Sequence, residues 1–392
     1  MTFLNRASST RVYLDYAATT PLSARVAESM RPFEREEFGN PRSLHVFGKH
    51  AKKVFDDARS RVGSLIGVTA EEVFFTHGGT DGNVKAITGV LNALQDEGRE
   101  LSSLHIIISA IEHTSVRSCA EMFSRRGVSV SYAPVTREGI VDVGALSKLV
   151  RRETVFVSVM LVNNEIGTIQ PLTEISRVLR QKKSDQKHPI VFHSDASQAP
   201  LWLSVRLKDL GVDMLTLDGH KMYGPKGAGA LIVSHSVPYA GLCGVSHKLG
   251  DGVDGTPNIP GIVGFTEALA ESEERRGALV DEIQKLRDYF ISRIEERFPE
   301  ARIHGHRDLR VANNVNVSFS DIEGEFLATQ LSEYGIAVSA KSACLSGGGE
   351  GSYVLERIDA ERKNSAIRFT LGYETTQEDI DYVISVLVDV LA

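Results

Sequence analysis

The chain has 392 residues, of which 42% are hydrophobic and 24% charged, and a formal net charge of −7. This composition is ordinary for a soluble globular protein, and the length is enough for two domains because single cores rarely grow beyond about 250–300 residues. The acidic balance, without a block of like charges, argues against nucleic-acid binding. The longest apolar runs are far shorter than the roughly 20 residues of a membrane span.

The cysteines and the N-terminus bear on the cellular compartment. Cys119, Cys243 and Cys344 do not make a disulfide framework, which favours a reducing compartment. Residues 1–11 lack the apolar core of a secretory signal. We therefore expect a cytoplasmic protein.

Strand-like and helix-like segments alternate along most of the chain, which predicts an α/β fold with a largely parallel sheet. Residues 46–65 have helical spacing. Residues 73–75 form a short apolar strand that leads into Gly78 and Gly79, and a second helix follows, with Thr80 or Asp81 as its N-cap. Glycines before a helix allow backbone N–H groups to face an anion, so this turn is either an anion site or a plain connection.

Several predicted strands end in polar side chains. Strands are predicted at residues 104–109 and 154–162 and from residue 190. The polar residues that follow them are His113, Asn164, Asp195 and Gln198. Since ligands of open α/β sheets bind beyond the carboxyl ends of the strands, we expect these side chains to meet at one edge.

A lysine lies in a rigid turn within residues 215–230. The pattern predicts a strand, a tight irregular turn with Lys221, and another strand. A lysine in such a frame suits a Schiff base with a carbonyl compound, whereas a glycine-rich hairpin with a solvated lysine is the alternative. Asp195 near this lysine would suit pyridoxal phosphate, whose ring nitrogen takes a carboxylate partner.

The pattern changes after about residue 260. Residues 267–298 predict a long charged helix, and residues 342–349 form a glycine-rich loop that carries Cys344. Short strands are predicted at residues 315–319, 336–338 and 367–370, before a final amphipathic helix. These elements predict a second, α+β domain.

The motifs taken together resemble those of the cysteine desulfurases, which are pyridoxal phosphate enzymes of fold type I in the class V aminotransferase superfamily. The resemblance extends over residues 13–387, and nine motifs in the family's order make it specific. They are Leu14-Asp-Tyr-Ala-Ala-Thr-Thr-Pro21, Phe75-Thr-His-Gly-Gly-Thr80, Glu112-His113, Val162-Asn-Asn-Glu-Ile-Gly167, Ser194-Asp-Ala-Ser-Gln198, Gly219-His-Lys-Met-Tyr-Gly-Pro-Lys-Gly227, Gly255-Thr256, Ser342-Ala-Cys344 and Ile367-Arg-Phe-Thr370.

The resemblance implies a specific architecture. Residues 17–260 would form a large cofactor-binding domain with a mostly parallel seven-stranded sheet. Residues 1–16 and 261–392 would form a smaller α+β domain that carries the loop of the catalytic cysteine. The resemblance also implies a homodimer.

The resemblance assigns three catalytic residues. Lys221 matches the lysine that forms the Schiff base with pyridoxal phosphate. His113 matches the histidine that stacks on the cofactor ring and moves protons. Cys344 matches the nucleophile that takes the sulfur as a persulfide, whereas Cys119 and Cys243 match no nucleophile of the family.

The resemblance also assigns binding residues. Asp195 matches the partner of the ring nitrogen, and Arg368 matches the residue that grips the substrate carboxylate. Asn164 matches a contact of the cofactor or the substrate. The remaining cofactor-binding positions are Gln198, Gly79, Thr80, His220 and Thr256, the last of which would reach the phosphate in the neighbouring subunit.

The implied activity is removal of sulfur from L-cysteine, which yields L-alanine and an enzyme persulfide. The persulfide would serve a sulfur-acceptor protein, such as an iron–sulfur scaffold, or a thiolation pathway. Two alternatives remain open at this point. One is another lyase or aminotransferase of the superfamily, for example one similar to selenocysteine lyases, and the other is a non-catalytic paralogue within a sulfur-transfer assembly.

The sequence departs from the family pattern at three places. Asp218 stands where a serine or threonine usually contacts the phosphate, and a carboxylate repels a phosphate unless it turns away, is protonated or binds a cation. Residues 241–255 contain no arginine, where the family usually has a pair. Tyr373 replaces a second arginine that one branch of the family often has.

Overall fold

A computed structural model describes residues 11–183, 189–240, 255–319, 322–340 and 351–391. The strands are β1 (Val12–Tyr13), β2 (Val73–Thr76), β3 (His105–Ser109), β4 (Ser129–Ala133), β5 (Thr154–Ser158), β6 (Val191–Asp195), β7 (Met214–Asp218), β8 (Gly229–Val233), β9 (Arg302–His304), β10 (Asn314–Ser318), β11 (Ile336–Ala337) and β12 (Ala366–Thr370). The helices are α1 (Ala24–Arg35), α2 (Val46–Ile66), α3 (Gly79–Asp96), α4 (Thr114–Arg125), α5 (Val143–Leu149), α6 (Leu172–Lys183), α7 (Leu207–Leu210), α8 (Ile259–Arg297), α9 (Gly324–Glu333), α10 (Tyr353–Ile358) and α11 (Gln377–Leu391).

The central sheet has seven strands in the order β2-β8-β7-β6-β5-β3-β4. Strand β8 runs antiparallel to both of its neighbours, and every other neighbouring pair is parallel. The prediction of a mostly parallel seven-stranded sheet in an α/β fold is thus confirmed. Because β2, β3, β5, β6 and β7 run in the same direction, their carboxyl ends meet at one edge.

The strand sequences are apolar because helices cover both faces of the sheet. All five residues of β3 are buried, and neighbouring side chains of a strand point to opposite faces. Ile106 and Ile108 belong to one core cluster together with residues of α3 and α4. Ile107 belongs to another, together with Phe55 of α2 and Phe265 of α8. The sheet is therefore the middle of three layers.

The later elements form separate small sheets. Strands β12, β10 and β9 make an antiparallel three-stranded sheet, and β1 pairs in parallel with β11. The division of the chain into residues 17–260 and residues 1–16 with 261–392 stays a prediction. Its boundary at residue 260 coincides with the start of α8.

Two predicted boundaries were wrong. Helix α8 begins at Ile259, eight residues before the predicted start, because a proline in the first helical turn is tolerated where its missing N–H is not needed. Strand β5 ends at Ser158 rather than at residue 162. Val159 and Leu161 still donate to β6, and the chain then turns where the buried Asn163 side chain accepts the N–H groups of Glu165 and Ile166.

Cys119 lies on α4 and is buried, and burial raises the pKa of its thiol to about 12. This agrees with the interpretation that Cys119 is not a nucleophile. Cys243 and Cys344 lie outside the described residues. Among the helices in the described ranges, none combines the length and the apolar character that crossing a bilayer requires.

Candidate active site

A cavity lies at the carboxyl edge of the parallel strands. Nine of the side chains or backbone positions predicted from the sequence line it: Gly79, Thr80, His113, Asn164, Asp195, Gln198, His220, Lys221 and Arg368. Thr256 is exposed and is not part of this lining. The predicted nucleophile Cys344 lies outside the described residues. The sheet thus brings together groups from distant parts of the sequence, as the sequence predicted.

Lys221 lies on a short 3₁₀ turn directly after β7. Its ammonium donates hydrogen bonds to the carbonyl oxygens of Ala17 and Ala18, both at 2.7 Å. Burial lowers the pKa of Lys221 from 10.5 to about 8, although the Asp218 carboxylate opposes this change. The amine therefore loses its proton close to neutral pH, and the neutral form is the one that attacks a carbonyl carbon.

The backbone after Lys221 is held in an uncommon conformation. Tyr223 has φ 60°, in the left-handed region that non-glycine residues rarely adopt. Its N–H donates to Thr20 Oγ1 at 2.7 Å, its hydroxyl accepts the N–H of Tyr373, and the two tyrosine rings stack at 3.8 Å. Tyr373 thus supports the lysine turn, and Arg275 lies over its ring. These contacts fix the path of the turn and with it the place of Lys221.

A buried hydrogen-bond network orients Asp195 and His113. Asn83 Nδ2 donates to Asp195 Oδ2 at 2.6 Å and to Ser115 Oγ at 3.0 Å. Ser197 N–H donates to the other Asp195 oxygen. The Ser115 N–H donates to His113 Nδ1 at 3.2 Å, so that a neutral His113 carries its proton on Nε2.

The start of α3 is an anion-binding turn. Gly78, not Thr80 or Asp81, is the N-cap, with φ 124° and ψ −173°. A Cβ atom on Gly79 would lie 2.7 Å from Ser197 Oγ and 3.1 Å from Asp218 Oδ2, so the turn has no room for a side chain there. These glycines leave the first N–H groups of the helix directed at an acceptor.

Asp218 is that acceptor in this structure. Gly79 N–H donates to Asp218 Oδ2 at 2.7 Å, and His220 Nε2 lies 3.3 Å from the same oxygen. Burial alone would raise the pKa of Asp218, but the hydrogen bond and charge of His220 and the Gly79 N–H hold the pKa below its usual value. Asp218 is therefore an ionised carboxylate at neutral pH.

Arg368 lies on β12 and is 3% exposed. Its Nη2 donates to Asp15 Oδ1 at 2.7 Å, and its Nη1 donates to the backbone oxygen of Asn164 at 2.9 Å. Its Nε is buried without a hydrogen-bond partner. The guanidinium is thus fixed at the cavity wall with part of its donor capacity unused, as the binding of a carboxylate requires.

The sequence reasoning assigned no role to Asn83, Ser197 and Asp15. Asn83 lies four residues after Gly79, and this spacing on a helix places both on one face. Asp15 and Ser197 lie inside motifs that were recognised. The helical spacing and the motif positions could have identified all three, whereas their hydrogen-bond partners depend on the tertiary fold.

The cavity residues fit pyridoxal phosphate, the cofactor that the sequence predicts. A lysine amine, a carboxylate and a glycine turn at a helix N-terminus are the groups that its aldehyde, ring nitrogen and phosphate require. Buried oxygens without hydrogen-bond partners, Asn164 Oδ1 and Ser197 Oγ, also line the cavity. A polar ligand would satisfy them. Asp218 is the one group among these described residues that a phosphate would not favour.

Comparisons with known proteins give one consistent result. The family model for aminotransferase class-V matches residues 12–383. The chain is 40% identical over 378 residues to a cysteine desulfurase IscS of Dictyoglomus turgidum, covering 96% of this chain and 93% of the relative. Among solved structures, a NifS-like protein has a TM-score of 0.88 and 33% identity, with 97% of this chain and 99% of that chain covered. The structure of SspA in complex with cysteine has a TM-score of 0.74 and 28% identity, with 92% of this chain and 98% of that chain covered.

Proposed function

The chain belongs to the aminotransferase class-V family and is a pyridoxal phosphate-dependent cysteine desulfurase, and from this premise we propose how its own residues carry out the reaction. The observation that carries the proposal is the meeting of Lys221, Asp195, His113 and Arg368 in one cavity. Each comes from a different part of the sequence, and each has a chemically distinct task in amino-acid chemistry.

Lys221 holds the cofactor, because its amine loses a proton near neutral pH and can attack an aldehyde. Pyridoxal phosphate, when bound, supplies an electron-withdrawing ring that stabilises negative charge at the α-carbon of the substrate. Asp195 would be the carboxylate partner of the ring nitrogen, and Asn83 and Ser197 fix its two oxygens. Gln198, whose amide donates to Ala17 O at 2.9 Å, serves the cofactor from the same wall.

Arg368 binds the α-carboxylate of L-cysteine. Its guanidinium is held by Asp15 and by the Asn164 carbonyl, so it does not need to be ordered when the substrate arrives. Asn164 Oδ1 is available as an acceptor for the substrate or the cofactor. The likeness to SspA, which was solved with cysteine, supports this choice of substrate.

His113 exchanges the protons of the reaction. We assign the exchange to Nε2, because Nδ1 accepts the N–H of Ser115. The thiolate of Cys344 attacks the substrate's sulfur, so that an S–S bond forms and the C–S bond breaks with its electron pair on carbon. Carbon then takes a proton, and the balance is L-cysteine plus a thiol to L-alanine plus a persulfide.

We assign the persulfide sulfur to an acceptor protein, such as an iron–sulfur scaffold, or to thiolation of other molecules. The protein would act in the cytoplasm as a homodimer, with Thr256 of one chain at the phosphate site of the other. The names of the relatives, cysteine desulfurase IscS, support the transfer of sulfur as the role of this chain.

The Cys344→Ser variant tests the proposal. It should retain the visible cofactor band but lose at least 100-fold in alanine formation from L-cysteine, because a hydroxyl does not replace a thiolate as the sulfur acceptor. Absorbance spectra and an alanine assay in the presence of a thiol reductant measure both properties.

The matched control is Cys243→Ser, which also replaces a cysteine but at a position that matches no family nucleophile. It should turn over at the unmodified rate. Equal turnover of the Cys344→Ser and unmodified proteins would overturn the role of Cys344 and favour a lyase that releases sulfur without a persulfide.

A further inference from the structure

A carboxylate occupies the place where the phosphate of the cofactor is expected. Asp218 is the last residue of β7, and its Oδ2 accepts the Gly79 N–H at the start of the 18-residue helix α3. The helix dipole favours one negative charge at this position. A phosphate and the Asp218 carboxylate therefore require the same backbone donor.

The surroundings of Asp218 contain polar atoms that could form further hydrogen bonds with a ligand. Asp218 Oδ1 and Ser197 Oγ have no hydrogen-bond partner, and the two residues are only 7% and 8% exposed. Both line the cavity next to Gly79. A buried polar atom without a partner is unfavourable, so a ligand atom or a rearrangement of Asp218 is expected when the site fills.

The charges around the site only partly compensate for Asp218. His220 lies beside its carboxylate, with Nδ1 3.0 Å from Thr19 Oγ1, and Lys221 is required for the aldehyde. On the outer side, His77 and Lys226 line a shallow depression next to Thr80. Asp81 is directed away, since it accepts the His77 N–H and pairs with Lys85. A phosphate dianion would thus lie against an ionised carboxylate in a partly buried place.

We propose that Asp218 is a built-in competitor for the cofactor's phosphate, so that this chain gains little affinity from the phosphate group. The phosphate would be held by Thr80 and Ser197, while Asp218 retains the Gly79 N–H and His220 Nε2. The chain then distinguishes only weakly between pyridoxal phosphate and pyridoxal, which lacks the phosphate. The inference rests on the cofactor of the proposed function and is independent of Cys344.

The experiment compares the two cofactors on the full-length apoprotein. Dissociation constants for pyridoxal phosphate and for pyridoxal are measured by absorbance titration of the unmodified chain and the Asp218→Ser and Asp218→Asn variants. In the unmodified chain we expect pyridoxal phosphate to bind less than tenfold more tightly than pyridoxal. In both variants this ratio should rise at least tenfold, because pyridoxal phosphate gains much more affinity than pyridoxal.

The matched control is Asp81→Asn, which removes a carboxylate from the same helix turn but outside the cavity lining. It should leave both dissociation constants within twofold of the unmodified chain. Inorganic phosphate gives a second measurement that does not involve Lys221. It should raise the melting temperature of the Asp218→Ser apoprotein and not that of the unmodified apoprotein.

Three results would overturn the proposal. Looser binding of pyridoxal phosphate by the Asp218 variants would mean that Asp218 supports the phosphate through His220. An equal gain for both cofactors would mean that Asp218 acts on Lys221 and not on the phosphate. Absence of binding in every variant would remove the competitor role altogether. The Cys344→Ser variant, titrated in parallel, separates these results from a failure of the sulfur-transfer proposal, because its cofactor affinity should be unchanged.

Discussion

At the scale of single residues, the chemistry of Lys221 follows from its burial. A lysine in water keeps its proton until about pH 10.4, and a protonated amine cannot attack an aldehyde. The cavity lowers the pKa of Lys221 to about 8, and the carboxylate of Asp218 limits the shift. Close to physiological pH, part of the Lys221 side chains are therefore neutral and nucleophilic, while the rest keep the positive charge of the ammonium group.

This pKa predicts the pH dependence of cofactor binding. The rate at which the apoprotein regains its visible band with pyridoxal phosphate should rise with pH below about 8 and level off above it, because only the neutral amine reacts. Asp218→Asn should move the midpoint to lower pH, since it removes a charge that favours the ammonium form. Stopped-flow absorbance between pH 6 and 10 measures the midpoint.

Asp81→Asn is again the control and should keep the midpoint near 8, while Lys221→Ala should show no band at any pH. A midpoint near 10.5 in the unmodified protein would contradict the prediction, because it would mean that Lys221 is fully solvated.

The sequence predicted the members of the site better than their contacts. We identified Lys221, Asp195 and His113 because each lies at or just beyond the end of a strand of the same sheet, and the sheet does bring them together. The pairing of Arg368 with Asp15 could not be predicted, because it joins β12 to a bridge near the N-terminus. The position of the Asp218 carboxylate depends on the distance between β7 and the start of α3, which only the folded chain fixes.

At the scale of elements, the connection from β2 to α3 depends on two glycines. Gly78 has φ 124° and ψ −173°, a conformation almost restricted to glycine, and a Cβ there would lie 3.2 Å from Asp218 Oδ2. A side chain at position 78 is therefore disfavoured both by the backbone conformation and by the neighbouring carboxylate. The sequence indicated this turn through the glycine pair, although it placed the helix cap two or three residues too late.

Gly78→Ala should destabilise the protein by at least about 2 kcal/mol and weaken cofactor binding, because the backbone must leave this conformation. Urea denaturation measures the free energy of unfolding, and absorbance titration measures the affinity for pyridoxal phosphate.

The Gly98→Ala variant distinguishes the effect of backbone strain on stability from the effect of changing the β2–α3 turn on cofactor binding. Gly98 also has a positive φ of 85°, but a Cβ there would meet no atom within 4 Å. This variant should be destabilised by about 1 kcal/mol and keep its cofactor affinity. Equal effects of the two substitutions on affinity would contradict the role of the β2–α3 turn as the anion site.

The element boundaries that the sequence missed have a common physical origin. Helix α8 starts at Ile259, and its first turn tolerates Pro260, while packing of α8 against α1 and α2 overrides the low helix propensity of Gly261. Beyond the end of β5, Val159 and Leu161 still donate to His193 and Asp195 of β6, and the turn that follows is capped by the Asn163 side chain. Tertiary packing and side-chain capping decide both cases, and neither has a periodic signal in the sequence.

At the scale of the whole molecule, an exposed apolar surface is the feature that a single chain leaves unexplained. Phe38 is 70% exposed, Leu44 88%, Val46 73% and Phe47 53%, and the rings of Phe38 and Phe47 stack at 5.8 Å. Apolar side chains clustered in this way usually mark an interface. The proposed homodimer would cover them.

Sedimentation equilibrium should give twice the mass of the chain for the unmodified protein. A variant with Leu44→Asp and Phe47→Asp should sediment as a single chain, because a carboxylate is disfavoured in an apolar interface. It should also bind pyridoxal phosphate more weakly, since Thr256 could no longer reach the phosphate of a second chain.

The matched control is Phe326→Asp, which changes an aromatic residue on α9 that is 56% exposed. It should leave the mass doubled. A doubled mass for the variant with both aspartates would refute the assignment of this surface to the dimer.

The pairing of Asp15 with Arg368 also has a consequence for biosynthesis. Strand β12 leaves the ribosome after Lys221, Asp195 and His113, because it lies about 150 residues further along the chain than Lys221. A nascent chain that has folded its parallel sheet can therefore already present the amine that captures the cofactor. It has no guanidinium for the amino-acid carboxylate until β12 has also emerged, so the newly made protein acquires its cofactor site before its substrate site.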